Sequence, residues 1–214
     1  MKSGINVYLS TAYLAPLHYY ARMLSADKVF IEQHENYLKQ SYRNRCQILS
    51  ANGVISLSIP VDKGILLKCF IRDVRISTHT NWQILHWRSL KAAYNSSPFF
   101  EYYADELQNF FERKWEFLFD FNTELQQKIL SLIDTDVNIS FTNEYKVDYT
   151  SSGLDMRGEI HPKKLSETVD NKFVNVPYYQ VFDSKFGFVP NMSILDLLFN
   201  MGTESLDVLE KMIR

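Results

Sequence analysis

Ile5-Asn-Val-Tyr-Leu9, Pro16-Leu-His-Tyr-Tyr-Ala21 and Val29-Phe-Ile31 follow one another within the first thirty-odd positions of the chain. The first run alternates apolar and polar side chains and reads as a strand. Pro16 suits the opening of a helix, because its fixed φ is already helical there. Leu17, Tyr20, Ala21 and Leu24 then fall on one helical face. The third run is a short apolar strand. Strand, helix and strand in this order make a βαβ unit with a parallel strand pair.

Downstream the pattern turns to β. Arg43-Asn-Arg-Cys-Gln-Ile-Leu49 leads to Asn52-Gly53, a tight-turn signal, and Val54-Ile-Ser-Leu-Ser-Ile59 answers it up to Pro60. Phe70 to Ile76 reads as a further strand. Trp82, Leu85, His86, Ser89 and Ala93 share a helical stripe. Ser97-Pro98 predicts the cap and first turn of a helix over 99–111, and Thr123 to Ile133 predicts another. Val137 to Phe141 and Tyr178 to Phe182 read as strands, separated by a long polar loop over 142–176. Ser193 caps a Leu-rich helix that Gly202 ends, and a last helix begins near Glu204. The order predicts an α/β fold: a single domain over 1–214 with a mixed sheet (N-terminal βαβ unit, β-hairpin) and packed helices.

Bulk properties narrow the function classes. A chain of 214 residues with 46% hydrophobic and 22% charged residues builds a core without disulfides or metals. A formal charge of -2 gives no global footprint for nucleic acid, so none is expected as a partner. No apolar run reaches the roughly 20 residues of a membrane span. Neither is there a signal peptide, so the cytoplasm is the expected location. Cys46 and Cys69 read as reduced thiols. The 15 Phe and 13 Tyr read as core and rim, although sugars and bases also stack on such rings.

Polar chemistry concentrates in Glu32-Gln-His-Glu-Asn-Tyr-Leu-Lys-Gln-Ser-Tyr-Arg-Asn-Arg45, launched from the end of the second strand. Arg43 and Arg45 alternate with Asn44, so in an extended chain their guanidinium groups project to one side about 7 Å apart. Two such groups, with Lys39 as a third cation, can hold a phosphate or carboxylate. The same arginines can instead pair with Glu32 or Glu35 as structural ion pairs. Asn44 and Tyr37 would orient a ligand, with Tyr13 or Trp87 stacking on a ring. His34 and Glu35 are the candidate catalytic acid or base, and a surface role is the alternative. Arg157, Lys163 and Lys164 form a second basic cluster in the long loop, either as lid residues for an anion or as ordinary surface. The five histidines and two cysteines are too scattered for a metal site, and none is expected. No Gly-rich phosphate loop, nicotinamide motif or GxSxG elbow occurs. The cofactor is left open.

These blocks resemble the WbqC-like family of bacterial proteins. The resemblance runs through Tyr13-Leu14 with Pro16, Ala26-Asp27, Glu32 to Lys39, Tyr42-Arg-Asn-Arg45 and Leu57 to Val61. It continues in Trp82, His86-Trp87, Tyr94, Ser97 to Tyr103, Arg157 with Ile160, and Pro162-Lys-Lys164. Tyr179 to Phe182, Gly187-Phe188 and Asn191 to Gly202 complete it. Two departures stand out: Ala15 where the family often has Pro, and Gln33-His34 where others carry an acidic pair. The resemblance implies a place in O-antigen or other surface polysaccharide biosynthesis. It suggests a transferase using a phosphorylated small molecule such as a sugar nucleotide, or a non-catalytic protein that docks a partner in polysaccharide assembly. The opening βαβ unit also looks loosely like nucleotidyltransferase folds, without their Gly-His motif.

Overall fold

The computed structural model describes residues 4–62, 69–164 and 166–214. The βαβ unit forms as the pattern predicts: β1 (Asn6–Ser10), α1 (Leu17–Ser25) and β2 (Lys28–Glu32), with β1 and β2 parallel and Val7 opposite Val29. The turn between β1 and α1 is tight. Leu14 adopts φ 42° while almost fully buried, an unfavourable backbone state for a branched side chain that its packing offsets.

Helix α1 is buried nearly all round, His18 and Arg22 included, and touches two later helices, α7 (Ile194–Met201) and α8 (Ser205–Glu210). Charged groups in such a place need partners. Asp170 supplies them, accepting from Arg22 through both carboxylate oxygens and bonding His18 Nε2 at 2.7 Å. These bonds outweigh burial and hold the Asp170 carboxyl well below the usual carboxylate range.

Two short strands complete the sheet. β5 (Ile139–Phe141) pairs with β2, and β6 (Leu154–Asp155) pairs with β1, both parallel, giving the order β5-β2-β1-β6. β6 lies inside the segment that sequence reading assigns to a loop. It approaches β1 so closely that a Cβ at Gly153 would sit 2.3 Å from the Asn6 carbonyl oxygen. The hairpin of β3 (Arg45–Ser50) and β4 (Gly53–Ser58) forms a separate antiparallel sheet. Gly53 takes the positive φ of 98° that its tight turn requires. Parallel and antiparallel pairs therefore share the fold but not one ladder.

Helix α2 (Trp82–Tyr94) packs against β3 and against α3 (Phe100–Glu112), and α4 (Leu118–Leu132) packs against the turn over Ile71–Asp73. Two short helices, α5 (Ser166–Val169) and α6 (Asp183–Phe186), lie in the C-terminal third. One contiguous apolar core joins all the main elements. The aromatic residues largely fill it: Trp82, Trp115 and Phe121 meet edge-on at 5.1–5.5 Å.

Three local expectations are corrected. Phe70 to Ile76 is not a strand but a 3-10 turn over Ile71–Asp73 flanked by isolated bridges, because among the described residues no strand pairs with it continuously. Tyr178 to Phe182 is also not a strand. There the Gln180 side chain replaces a ladder, accepting from Val189 N–H at 2.8 Å and donating to Val189 O and Asp196. Ser97 does not cap α3, which starts after Phe99, and its hydroxyl is buried without a partner among the described residues. Cys46 and Cys69 are free thiols.

Candidate functional site

The chain leaves β1 toward β2 on one side and returns much later to β1's other side as β6. In open α/β sheets, ligands bind outside the carboxyl ends of the strands where the strand order reverses in this way. Here that place is floored by Ser10 at the end of β1, Glu32 at the end of β2, and Asp155 to Arg157 at and beyond the end of β6.

The floor is a sealed network of charges. Glu32 is fully buried and accepts from the His34 backbone N–H (2.7 Å), Thr142 Oγ1 (2.8 Å), Tyr149 OH (2.9 Å) and Arg157 Nη1 (3.4 Å). Burial, with Glu32 beside it, pushes the Tyr149 phenol up to about 12, so it stays a donor. Arg157 is saturated as well. It forks onto Asp155 at 2.8 and 2.6 Å, donates to the carbonyls of Lys146 and Val147, and lies 4.5 Å above the Tyr149 ring. Arg157 therefore fastens the 144–157 segment to the sheet rather than reaching out as a lid.

Arg43 follows the ion-pair alternative. It is buried and forks onto Glu35, with Nε–Oε1 at 2.8 Å and Nη2–Oε2 at 2.5 Å. Ser10 Oγ accepts from Arg43 Nη2 at 2.7 Å and lies 3.1 Å from the same carboxylate. Glu35 is thus neutralised by a bidentate partner and poorly placed to abstract a proton. The cavity beside this pair measures only about 10 Å³, between Ser10, Thr11, Tyr19, Arg43, Met156 and Arg157.

Arg45 differs from its neighbour. It begins β3 and is half-buried; among the described residues it forms no ion pair, and its Nε is buried without a hydrogen-bond partner. Other cations gather near it from a distant part of the chain. The 156–164 loop folds back in turns, with Ile160 N–H on Met156 O and Lys164 N–H on His161 O. This brings His161 into the field of Arg43, Lys163, Lys164 and Arg45; burial first, then these four charges, lower the imidazole pKa below its ordinary 6.5. Lys164 is partly spent on Glu159 at 3.0 Å. Lys163 and Lys39 are exposed and form no ion pair among the described residues. Tyr37 is half-buried in the same field, where burial raises its phenol and the charges of Arg45 and Arg43 hold that rise back. Arg43 and Arg45 from one basic cluster and Lys163 and Lys164 from the other, far apart in sequence, thus act on one imidazole.

The other candidates lie elsewhere. Tyr13 is fully buried and bonds His86 Nδ1 at 2.9 Å, so its ring cannot stack on a ligand. Trp87 stacks between Phe100 (6.0 Å) and Phe111 (5.6 Å) and belongs to helix packing. Asn44 is buried and braces the hairpin through Nδ2 to Ile59 O at 2.8 Å. His34 is half-buried beside the network, its Nε2 3.1 Å from the Thr142 carbonyl. That acceptor places the proton on Nε2 and leaves Nδ1 of the neutral ring free to accept. Sequence reasoning named Glu32 only as a partner for the arginines, placed Asp155 and His161 in the second polar cluster without a role, and missed Ser10, Thr142 and Tyr149. Of these last three only Ser10 carried a signal, as a polar residue ending an apolar strand. Among the described residues no group of three or more His, Cys, Asp or Glu side chains is placed to hold a metal, and no helix is long and apolar enough to cross a membrane.

With this geometry in view, comparison with known proteins gives one clear result. The WbqC-like protein family matches residues 11–171, three quarters of the chain. The chain belongs to the WbqC-like family. The match begins just after β1 and takes in β2, the polar segment before β3 and the 156–164 loop, so Tyr37, Lys39, Arg43, Arg45, His161 and Lys163 all lie within it. The chain is also similar to "Uncharacterized protein Rv1507c" of Mycobacterium tuberculosis (strain ATCC 25618 / H37Rv), at 26% identity over 212 residues, covering 89% of this chain and 91% of that one. No solved structure matches.

Proposed function

We propose that this WbqC-like protein binds the phosphate portion of an activated sugar or related phosphorylated precursor beside Arg45, and acts as a group-transfer enzyme in surface polysaccharide biosynthesis. Arg45 and Lys163 hold the anion, with Lys39 adding positive charge from the preceding turn. Tyr37 orients the ligand. Arg43, Glu35, Arg157 and Asn44 form the rigid surround, and His34 is the acid–base candidate through its free Nδ1. The observation that carries this reading is the half-buried guanidinium of Arg45, which among the described residues has no ion pair and a buried Nε without a hydrogen-bond partner: a charge so placed lacks the partner that buried charges otherwise have. Two residues before it, Arg43 bonds Ser10 at the carboxyl end of β1, the kind of place where open α/β sheets take small-molecule ligands.

One observation favours a second reading, a binding or assembly protein of the same pathway without catalysis. Both carboxylates closest to His34 are already engaged, Glu32 by four donors and Glu35 by Arg43. Thermal-shift titration with UDP-glucose and other sugar nucleotides tests the shared part. Wild type should be stabilised by at least one of them, and Arg45→Ala should lose that response. Identical responses of both proteins would remove the anion site. Turnover of the bound sugar nucleotide then separates the enzyme from the binding protein.

A further inference from the structure

We propose that His161 is the proton-linked latch of the anion site: it is neutral in the free protein, takes up a proton when a dianionic group binds beside Arg45, and releases a backbone donor onto that group. This rests on the anion-binding reading above and assigns it a residue and a regulation that reading does not include.

His161 Nδ1 accepts from the Lys163 backbone N–H at 3.2 Å. A ring nitrogen can accept only when unprotonated, so this turn is built for the neutral imidazole with its proton on Nε2. The surroundings agree. The charges of Arg43, Arg45, Lys163 and Lys164 all act on the ring, and Glu35 offsets Arg43 while Glu159 offsets Lys164, leaving Arg45 and Lys163 without an ion pair among the described residues. A further positive charge is disfavoured there.

An entering dianion reverses that field. It neutralises Arg45 and Lys163 and raises the affinity of the ring for a proton. Protonation then places a proton on Nδ1, where it opposes the Lys163 N–H instead of accepting from it. The 161–163 turn must open, which frees the Lys163 N–H and adds a charged imidazolium donor. Two new donors appear only when an anion is present to receive them. Because the bound-state pKa lies above the free-state one, anion affinity is highest below the free-state pKa and falls as pH rises through the bound-state value. The linkage favours ligands with concentrated charge, such as terminal phosphates and diphosphates, over isolated phosphodiesters.

Sulfate and UDP-glucose are suitable probes, since neither changes its own charge between about pH 5 and about pH 8. Calorimetric titration of the full chain in buffers of different ionisation enthalpy measures protons taken up on binding. Wild type should bind both probes about tenfold more tightly at the acid end for each unit by which the ligand raises the His161 pKa. It should also take up a fraction of a proton near neutrality. His161→Asn keeps an acceptor for the Lys163 N–H and removes the titrating group; it should bind with the high-pH affinity throughout and take up no proton. The imidazole proton resonance absent from the His161→Asn spectrum should move to higher pKa when sulfate is added to wild type. Binding of either probe by wild type with no pH dependence, or an unaltered linkage in His161→Asn, would overturn the latch while leaving the Arg45 site standing. No binding of either probe at any pH would overturn both.

Discussion

Removing one arginine of the 43–45 pair should harm folding, and removing the other should harm binding. Arg43 and Glu35 have side chains only 7% and 8% exposed and share two charge-assisted hydrogen bonds, with Ser10 joining them. Arg43→Ala strands the Glu35 carboxylate in that setting, and breaking a buried pair on one side typically costs about 3–5 kcal/mol. For a chain of this size that is a fall in Tm of about 6–20 °C. Arg45→Ala removes a side chain without an ion-pair partner, so stability should stay within about 0.5 kcal/mol. Urea unfolding followed by tryptophan fluorescence measures both. Glu35→Ala combined with Arg43→Ala should recover part of the loss, because neither charge is then left alone. A cost for Arg43→Ala below about 1 kcal/mol, the range of exposed pairs, would refute the claim that this pair is shielded. Arg43 would then be free to join Arg45 in holding a ligand.

Two further outcomes follow from other parts of the molecule. Burial lowers the His86 pKa from 6.5 to about 4, against a weaker opposing bond at Ser58. The folded value lies below the unfolded one, so this contribution to stability is present above pH 6.5 and is lost as pH falls toward 4. It amounts to at most about 3 kcal/mol; His86→Gln, which can still accept from Tyr13, should flatten the pH dependence of stability in that window and leave it unchanged above. Gly153→Ala places a methyl group against the Asn6 carbonyl, so β6 must shift at a cost of about 1–3 kcal/mol. Limited proteolysis should then cut faster within 142–157, and an unchanged cleavage rate would show that the backbone approach is not tight.

How far the sequence could be read depended on how far each interaction reaches along the chain. The βαβ unit and the hairpin were legible because their signals are local: the alternation of Ile5 to Leu9, the helical spacing of Leu17, Tyr20 and Leu24, and Gly53 at a turn that needs positive φ. β6 was not legible, since two residues carry no period and its pairing with Val7 and Tyr8 is set by a distant part of the chain. The segment 70–76 alternates like a strand, yet alternation specifies a face and not a neighbour. In the site, the grouping of Arg43 with Glu35 was one of two readings left open, because adjacent charges in sequence do not reveal which way a loop folds. Arg45 and Lys163 were each nominated for an anion, but that both act on His161 depends on how the 156–164 loop folds back. Tyr13 and Trp87 illustrate the opposite error. An aromatic residue in a family motif can be retained for packing alone, and Tyr13 with no exposed surface plainly is.

Placing β1 between β2 and β6 has a consequence for how the chain comes into being. β1 and β2 emerge early from the ribosome and can pair at once, but the other flank of β1 must wait until residue 155 has been made. Until then β1 presents an open row of backbone donors and acceptors, the kind of edge that invites pairing with other chains. Glu32 likewise lacks Thr142, Tyr149 and Arg157 during that interval and stays hydrated. The same returning segment therefore covers the flank of β1 and supplies the partners of Glu32.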